Sequence, residues 1–171
     1  MVLFILAHSV LLTMMLFTFP RINEVLGSPA FDLKTFGYSL TEASTMVAKL
    51  DQDTIDFYIF PQLFLLDVLY PVLLALFLCA LILRLAGLVN NKFGHVLGKL
   101  YFLPFIAMLI DYAENISIWK MITSKNELST ILVQAACSFT QLKGAVTTIS
   151  WMAILILFVI WLKERPIRNK A

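Results

Sequence analysis

At 171 residues the chain has the length of a single domain, yet 60% of it is hydrophobic and only 14% is charged. Soluble domains carry about 25% charged residues, so this composition excludes an ordinary soluble globule. The formal net charge of +2 comes without a basic block, and nucleic acid is not an expected partner.

The first apolar run, residues 2–19, contains no charge and is closed by Pro20. A hydrocarbon core about 30 Å thick needs about 20 helical residues, so this run is the first expected span. Its rival is a cleaved signal peptide, with small residues at Ser28-Pro29-Ala30. The run lacks a positive leader, however, and its 18 residues exceed the usual apolar core of about 7–15. His8, within this run, reads as a hydrogen-bonded packing histidine.

Residues 20–61 form the one substantial segment outside the spans. Its acids Glu24, Asp32, Glu42, Asp51, Asp53 and Asp56 outnumber Arg21, Lys34 and Lys49. Phe36-Gly37-Tyr38-Ser39 reads as a turn into a helix, and Ser39 and Glu42 have capping-box spacing. Ala43, Met46, Val47, Leu50, Thr54, Phe57 and Tyr58 then repeat at helical spacing, which predicts an amphipathic helix from about Ser39 to Phe60. That helix lies on the interface or docks on the bundle.

The second span, residues 62–83, is interrupted only by Asp67. Tyr70 shares its face, and Pro71, four residues on, frees the Asp67 carbonyl from its helical partner. Cys79 in this run is a small hydrophobe. The third span, residues 100–119, carries Asp111, Glu114 and Asn115 on one face. The fourth, residues 144–162, is charge-free; Lys143 enters it, with Thr147 and Ser150 continuing the lysine's face. Gln134, Gln141 and Thr148 align elsewhere, as packing or capping groups. The reading is an all-α, polytopic membrane protein: a four-transmembrane-helix bundle with an amphipathic helix in its first outer loop.

Orientation follows lysine and arginine. The link between spans two and three holds Arg84, Lys92 and Lys99 without an acid, and the tail holds Lys163, Arg165, Arg168 and Lys170 against Glu164. Both termini are therefore expected in the cytoplasm, in a multi-pass protein of the cell membrane. Trp119 and Trp161 fall at span ends, where interfacial indoles belong.

Acids within spans are costly and point to function. Asp67 and Glu114 each lie about 7.5 Å inside the outer span ends and Asp111 about 12 Å, at a rise of about 1.5 Å per residue. Lys143 enters from the same side. One site can hold Asp67, Tyr70, Asp111, Glu114, Asn115 and Lys143. Three carboxylates against one lysine would stand at −2 if all were ionised, which suits protons, a small cation or an amphiphile with a cationic head. The alternatives are a lipid-modifying enzyme, with Asp111 or Glu114 as general acid or base, and a structural subunit whose polar residues clamp the helices. No Gly-rich phosphate loop, His-rich metal motif or nucleophile elbow is present, and no cofactor or resident metal is expected.

Three short motifs in this order, Phe36-Gly37-Tyr38-Ser39 with Glu42-Ala43, Asp67-x-x-Tyr70-Pro71, and Asp111-x-x-Glu114-Asn115, resemble a family of uncharacterised four-span bacterial membrane proteins. The resemblance extends across most of the chain. It implies the four-span fold and no particular activity. A looser likeness, to four-span sterol-isomerase-like and sigma-receptor-like proteins, rests on acids placed inside a small bundle.

Overall fold

The computed structural model describes residues 1–124 and 128–168; Lys170 of the basic tail lies outside them. The described residues contain helices and connections and no strand. Four helices are long and apolar enough to cross a membrane: α1 (Val2–Leu26), α3 (Gln52–Ala86), α4 (Lys92–Thr123) and α5 (Thr130–Arg168). A short helix, α2 (Leu40–Lys49), lies in the connection between α1 and α3. The architecture is the expected all-α membrane bundle.

The helices outrun the apolar stretches that announce them. Pro20 does not close α1, which runs on to Leu26. In a regular helix the proline lacks an N–H and its ring crowds the carbonyl four residues back. Here the turn Met14–Thr18 is π-helical, with the Phe19 N–H donating to the Met14 carbonyl, and this wider turn accommodates the ring. Gly27, in the left-handed region at φ 62°, ends the helix and donates to Asn23 O at 2.8 Å. The connection is thus residues 27–51 rather than 20–61.

The expected helix from Ser39 to Phe60 is two helices. Ser39 caps the first as its spacing predicts, its hydroxyl accepting from Glu42 N at 3.1 Å. Leu50 then turns extended, and Asp51 caps α3 by accepting from Thr54 N at 2.8 Å. A second cap inside the periodic stretch breaks the helix while leaving its apolar face in register. Ala43, Met46, Val47 and Leu50 are buried, as are Thr54 and Tyr58 beyond the break.

That face docks on the bundle, and specific bonds secure the whole segment. Lys49 donates to Leu26 O at 2.6 Å, Ala30 N donates to Asn23 Oδ1 at 2.7 Å, and Gln141 donates to Phe36 O at 3.3 Å. Gly37 sits at φ 85°, and a Cβ there would meet Gln141 and Cys137 of α5, so the expected turn also requires close approach. Lys34 and Glu42 pair at 2.5 Å, and the lysine's hydrogen bond holds the Glu42 carboxyl below its ordinary range. Residues 27–51 therefore form a fixed roof, and the end of the bundle they cover is called the capped end below.

α3 is the central helix. α1, α4 and α5 all pack on it, and α4 and α5 form the most extensive pair, whereas α1 and α5 scarcely meet. Buried apolar residues form two clusters. One, under the roof, includes Phe19, Ile22, Phe31, Met46, Tyr58 and Met121. The other, toward the opposite end, centres on Leu78, Ile82, Val89 and Leu157. At that opposite end Glu164 accepts from Asn90 N at 2.8 Å and Asn91 Nδ2 at 2.9 Å, tying the link between α3 and α4 to α5.

Candidate functional site

The two apolar clusters leave room between them. A cavity of about 380 Å³ is walled by α1, α3, α4 and α5 and roofed by the turn Phe31–Leu33. Its lining is two-sided. Asp32, Asp67, Tyr70, Asp111 and Lys143 line it, and so do Leu11, Leu74, Ala75, Leu78, Pro104 and Ala107. The cavity reaches the bundle surface between α1 and α5, where Met15 and Thr148 line it and are themselves exposed. Thr148, expected only to pack or cap, is thus part of the wall. Nearer the opposite end the aromatic series Phe4, Phe77 and Trp151, with centroids 5.4 and 6.3 Å apart, spans the same gap. His8 joins it, bonded to Phe4 O at 2.8 Å, as a packing histidine.

The six expected site residues divide into two groups. Asp67, Tyr70, Asp111 and Lys143 line the cavity; Glu114 and Asn115 do not. Asp67, Asp111, Glu114 and Lys143 are expected to line one cavity with Tyr70 and Asn115 beside them; that expectation is corrected for Glu114, which lies outside the lining, and Tyr70 joins the lining itself. Glu114 is completely buried; its Oε1 accepts from Thr140 at 2.5 Å, and its Oε2 meets Lys143 as an ion pair. Lys143 also donates to Asp111 Oδ1 at 2.5 Å. One ammonium on α5 thereby holds two carboxylates one helical turn apart on α4. Asn115 donates to the Asp67 carbonyl at 3.2 Å, the oxygen that Pro71 was expected to free. Tyr112 donates to the next carbonyl, Val68 O, at 3.0 Å. These bonds join α4 to α3 and α5.

The side chain of Asp67 faces a different set of partners. Its Oδ2 accepts from Gln62 Nε2 at 2.7 Å, and Gln62 in turn accepts from Thr18. This buried chain of groups crosses from α1 to α3 where both helices are π-helical, at Met14–Thr18 and Tyr58–Leu66.

Asp32, read from the sequence only as one acid of the loop, is the unexpected member. The roof carries it to the cavity between the apolar Phe31 and Leu33. Tyr58 donates to Asp32 Oδ2 at 2.5 Å while accepting from Phe31 N at 3.1 Å. Asp32 Oδ1 is buried and has no hydrogen-bond partner among the described residues. Burial pushes the Asp32 carboxyl above its ordinary range, against the opposing hydrogen bond from Tyr58. Tyr38 packs on Phe31 at a centroid distance of 5.0 Å, and burial raises its hydroxyl well above the usual tyrosine range.

The signals for the missed residues were weak but legible. Gln62 is a buried amide opening an apolar run, Thr140 stands one turn before Lys143, and Asp32 is an acid flanked by Phe31 and Leu33. Among the described residues no group of His, Cys, Asp and Glu side chains has the arrangement of a metal site. The ion pairs described take up Lys143 with Asp111 and Glu114, and Lys34 with Glu42; neither Asp32 nor Asp67 has an ion-pair partner among the described residues.

No protein-family model matches the chain, and neither a curated protein nor a solved structure matches it.

Two expectations follow from this geometry. Lys143→Met leaves two acids without their cation, and removing one partner of a buried ion pair costs about 3–5 kcal/mol. Thermal unfolding in detergent should show that loss, and adding Asp111→Asn and Glu114→Gln should restore most of it. Asp32 behaves in the opposite sense. Its folded-state pKa is raised, so the stability tied to its protonation is present at acid pH and lost as pH rises through that raised value. Asp32→Asn should therefore stabilise the empty protein at neutral pH, with the gain vanishing below the ordinary aspartate range, as read from unfolding temperature against pH.

Proposed function

We propose that this chain is a membrane-embedded binding or transport-accessory protein whose ligand is an amphiphile with a cationic head. The observation that carries the reading is the cavity itself: it is lined by two acids that no cation among the described residues pairs, Asp32 and Asp67, and otherwise largely by apolar side chains. Its volume is in the range of small-molecule sites, about 300–1,000 Å³. The roof covers the capped end, whereas Met15 and Thr148 bring the cavity to the lipid-facing surface between α1 and α5. An amphiphile would enter there from the bilayer, place its head toward Asp32 and Asp67, and lay its chain along Leu74 and Leu78. A site for such a head inside the membrane is favourable because an unpaired carboxylate in a low-dielectric setting gains much from an opposite charge.

The alternatives fit less well. In the enzyme reading Glu114 has no access to the cavity, leaving Asp111 as acid or base, and one of its oxygens is already engaged by Lys143. The structural reading describes the α4–α5 half of the cluster well, as a clamp of Lys143, Asp111, Glu114 and Thr140. It leaves the Asp32 and Asp67 half without a role. The three motifs by which the chain resembles a four-span bacterial family contribute Tyr38 and Glu42 to the roof and Asp67, Tyr70, Asp111, Glu114 and Asn115 to the site region.

We further place both termini and the α3–α4 link in the cytoplasm of a cell-membrane protein. Arg84, Lys92, Lys99, Lys163 and Arg165 all belong to the end opposite the roof, as the positive-inside rule requires. A cysteine at Ser44, exposed on α2, should react with a membrane-impermeant maleimide in intact cells; one at Asn90, exposed in the α3–α4 link, should react only after permeabilisation. The reverse pattern would invert the orientation.

For the ligand, native mass spectrometry with lipid analysis of protein extracted gently from its own membrane is the direct test. A cationic amphiphile should copurify with the unaltered protein and with Glu114→Gln, and fall at least about tenfold with Asp67→Asn, a loss of about 1.4 kcal/mol or more. Retention by Asp67→Asn, or binding of anionic and neutral lipids alone, would defeat the proposal.

A further inference from the structure

The end of the bundle opposite the roof carries a second built surface, outside the cavity lining, at the start of α4. Asn91 caps this helix by accepting from Gly94 N at 2.7 Å, and Glu164 on α5 accepts from Asn90 N and Asn91 Nδ2. Gly94 and Gly98 are buried against α3: a Cβ on the first would strike Val89, and one on the second Ala86. Leu97 packs on the apolar cluster of the same end and completes the inner face of these two turns. The close approach and the cap together fix which residues turn outward.

At about 100° per residue, the outward positions form two sides that meet along the helix. Phe93 and Val96, each 59% exposed, make one; the exposed Lys92, His95 and Lys99 make the other. No Asp or Glu occurs between Arg84 and Asp111, and among the described residues no acid forms an ion pair with Lys92, His95 or Lys99. Just beyond Lys99, Tyr101 and Phe102 are exposed, with ring centroids 6.2 Å apart, and the next charge on the helix is Asp111. Cations, then aromatic rings, then bare apolar helix is the order of headgroup, interface and hydrocarbon.

Phe93 and Val96 decide the kind of partner. Lysines alone would suit any anion, free phosphate included. An exposed apolar pair beside them gains by being covered, which suits an anion that brings its own apolar surface.

We propose that the start of α4 binds an anionic phospholipid. Lys92 and Lys99 are drawn to the headgroup phosphate with His95 between them, and the glycerol backbone and upper acyl chains cover Phe93 and Val96. This surface is separate from the cavity and does not depend on the binding function proposed above.

The test titrates purified protein, in a neutral maltoside detergent at low salt, with dioleoyl phosphatidylglycerol or dioleoyl phosphatidylcholine. Native mass spectrometry counts the bound lipid. The two probes share their chains and a phosphate and differ in net charge. The first phosphatidylglycerol should bind at least about tenfold more tightly than the first phosphatidylcholine. Lys92→Gln with Lys99→Gln should lose most of that preference. Both side chains are exposed, so the packing of α4 on α3 is untouched. Lys163→Gln with Arg165→Gln removes the same charge from the same end and should keep the preference. Phe93→Ser with Val96→Ser should weaken the binding of both lipids. Equal binding of the two lipids by the unaltered protein would overturn the proposal. An equal loss from the two charge-removing doubles would also overturn it, since the diffuse charge of this end would then suffice. Unchanged binding in the serine double, or displacement of phosphatidylglycerol by millimolar inorganic phosphate, would assign the lysines to a free anion instead.

Discussion

The Lys143 ammonium is the interaction on which the rest of the bundle depends. It lies between Asp111 and Glu114, and without it α4 would bring two carboxylates one turn apart into an apolar environment. Opposite charges pay such burial back only when geometry is good and the remaining lone pairs are satisfied. Here Thr140 supplies the further hydrogen bond to Glu114. Once α4 and α5 are locked in this register, Asn115 is positioned to reach the Asp67 carbonyl and Tyr112 to reach Val68. The clamp thus aligns α3 as well, and with it the Asp67 side chain that faces the cavity.

The irregular turns have a physical role in this arrangement. A regular helix engages its carbonyls with its own N–H groups, whereas Pro71 releases that of Asp67 and Asn115 uses it. The π-helical turns in α1 and α3 lie against each other, and Thr18 and Gln62 meet between them. Widened turns of this type recur at functional sites. Here they pass a hydrogen-bonded chain to Asp67 without engaging Lys143. The outcome is a division of labour among acids of the same type: Asp111 and Glu114 are held by a cation, whereas among the described residues Asp67 and Asp32 are held by hydrogen bonds alone.

The roof extends this division. Its helix buries Ala43, Met46 and Val47 on the bundle, and three backbone or side-chain bonds fix its ends and middle. Because it is fixed, Asp32 is presented at one place, with one oxygen satisfied and the other not. An acid on a loose loop would turn its charge to water; this one is held by Tyr58 from α3.

The sequence by itself determined that the chain is a helical membrane bundle. The length and bareness of four apolar runs leave no other way to satisfy backbone groups in lipid. It also determined the Ser39 cap, the buried face of α2 and the freeing of the Asp67 carbonyl, because each depends on residues within a turn or two of one another. It did not determine where the helices end, since Pro20 reads locally as a stop and only a π-helical turn packed against α3 lets the chain continue. Nor did it determine which acids share a lining. Asp32 and Asp67 are brought to one cavity by the docking of the roof, and Glu114 is shut out of it by the rotation of α4 against α5. Those are contacts between residues far apart in the chain, which helical spacing does not encode and only the tertiary packing of four helices and a roof decides.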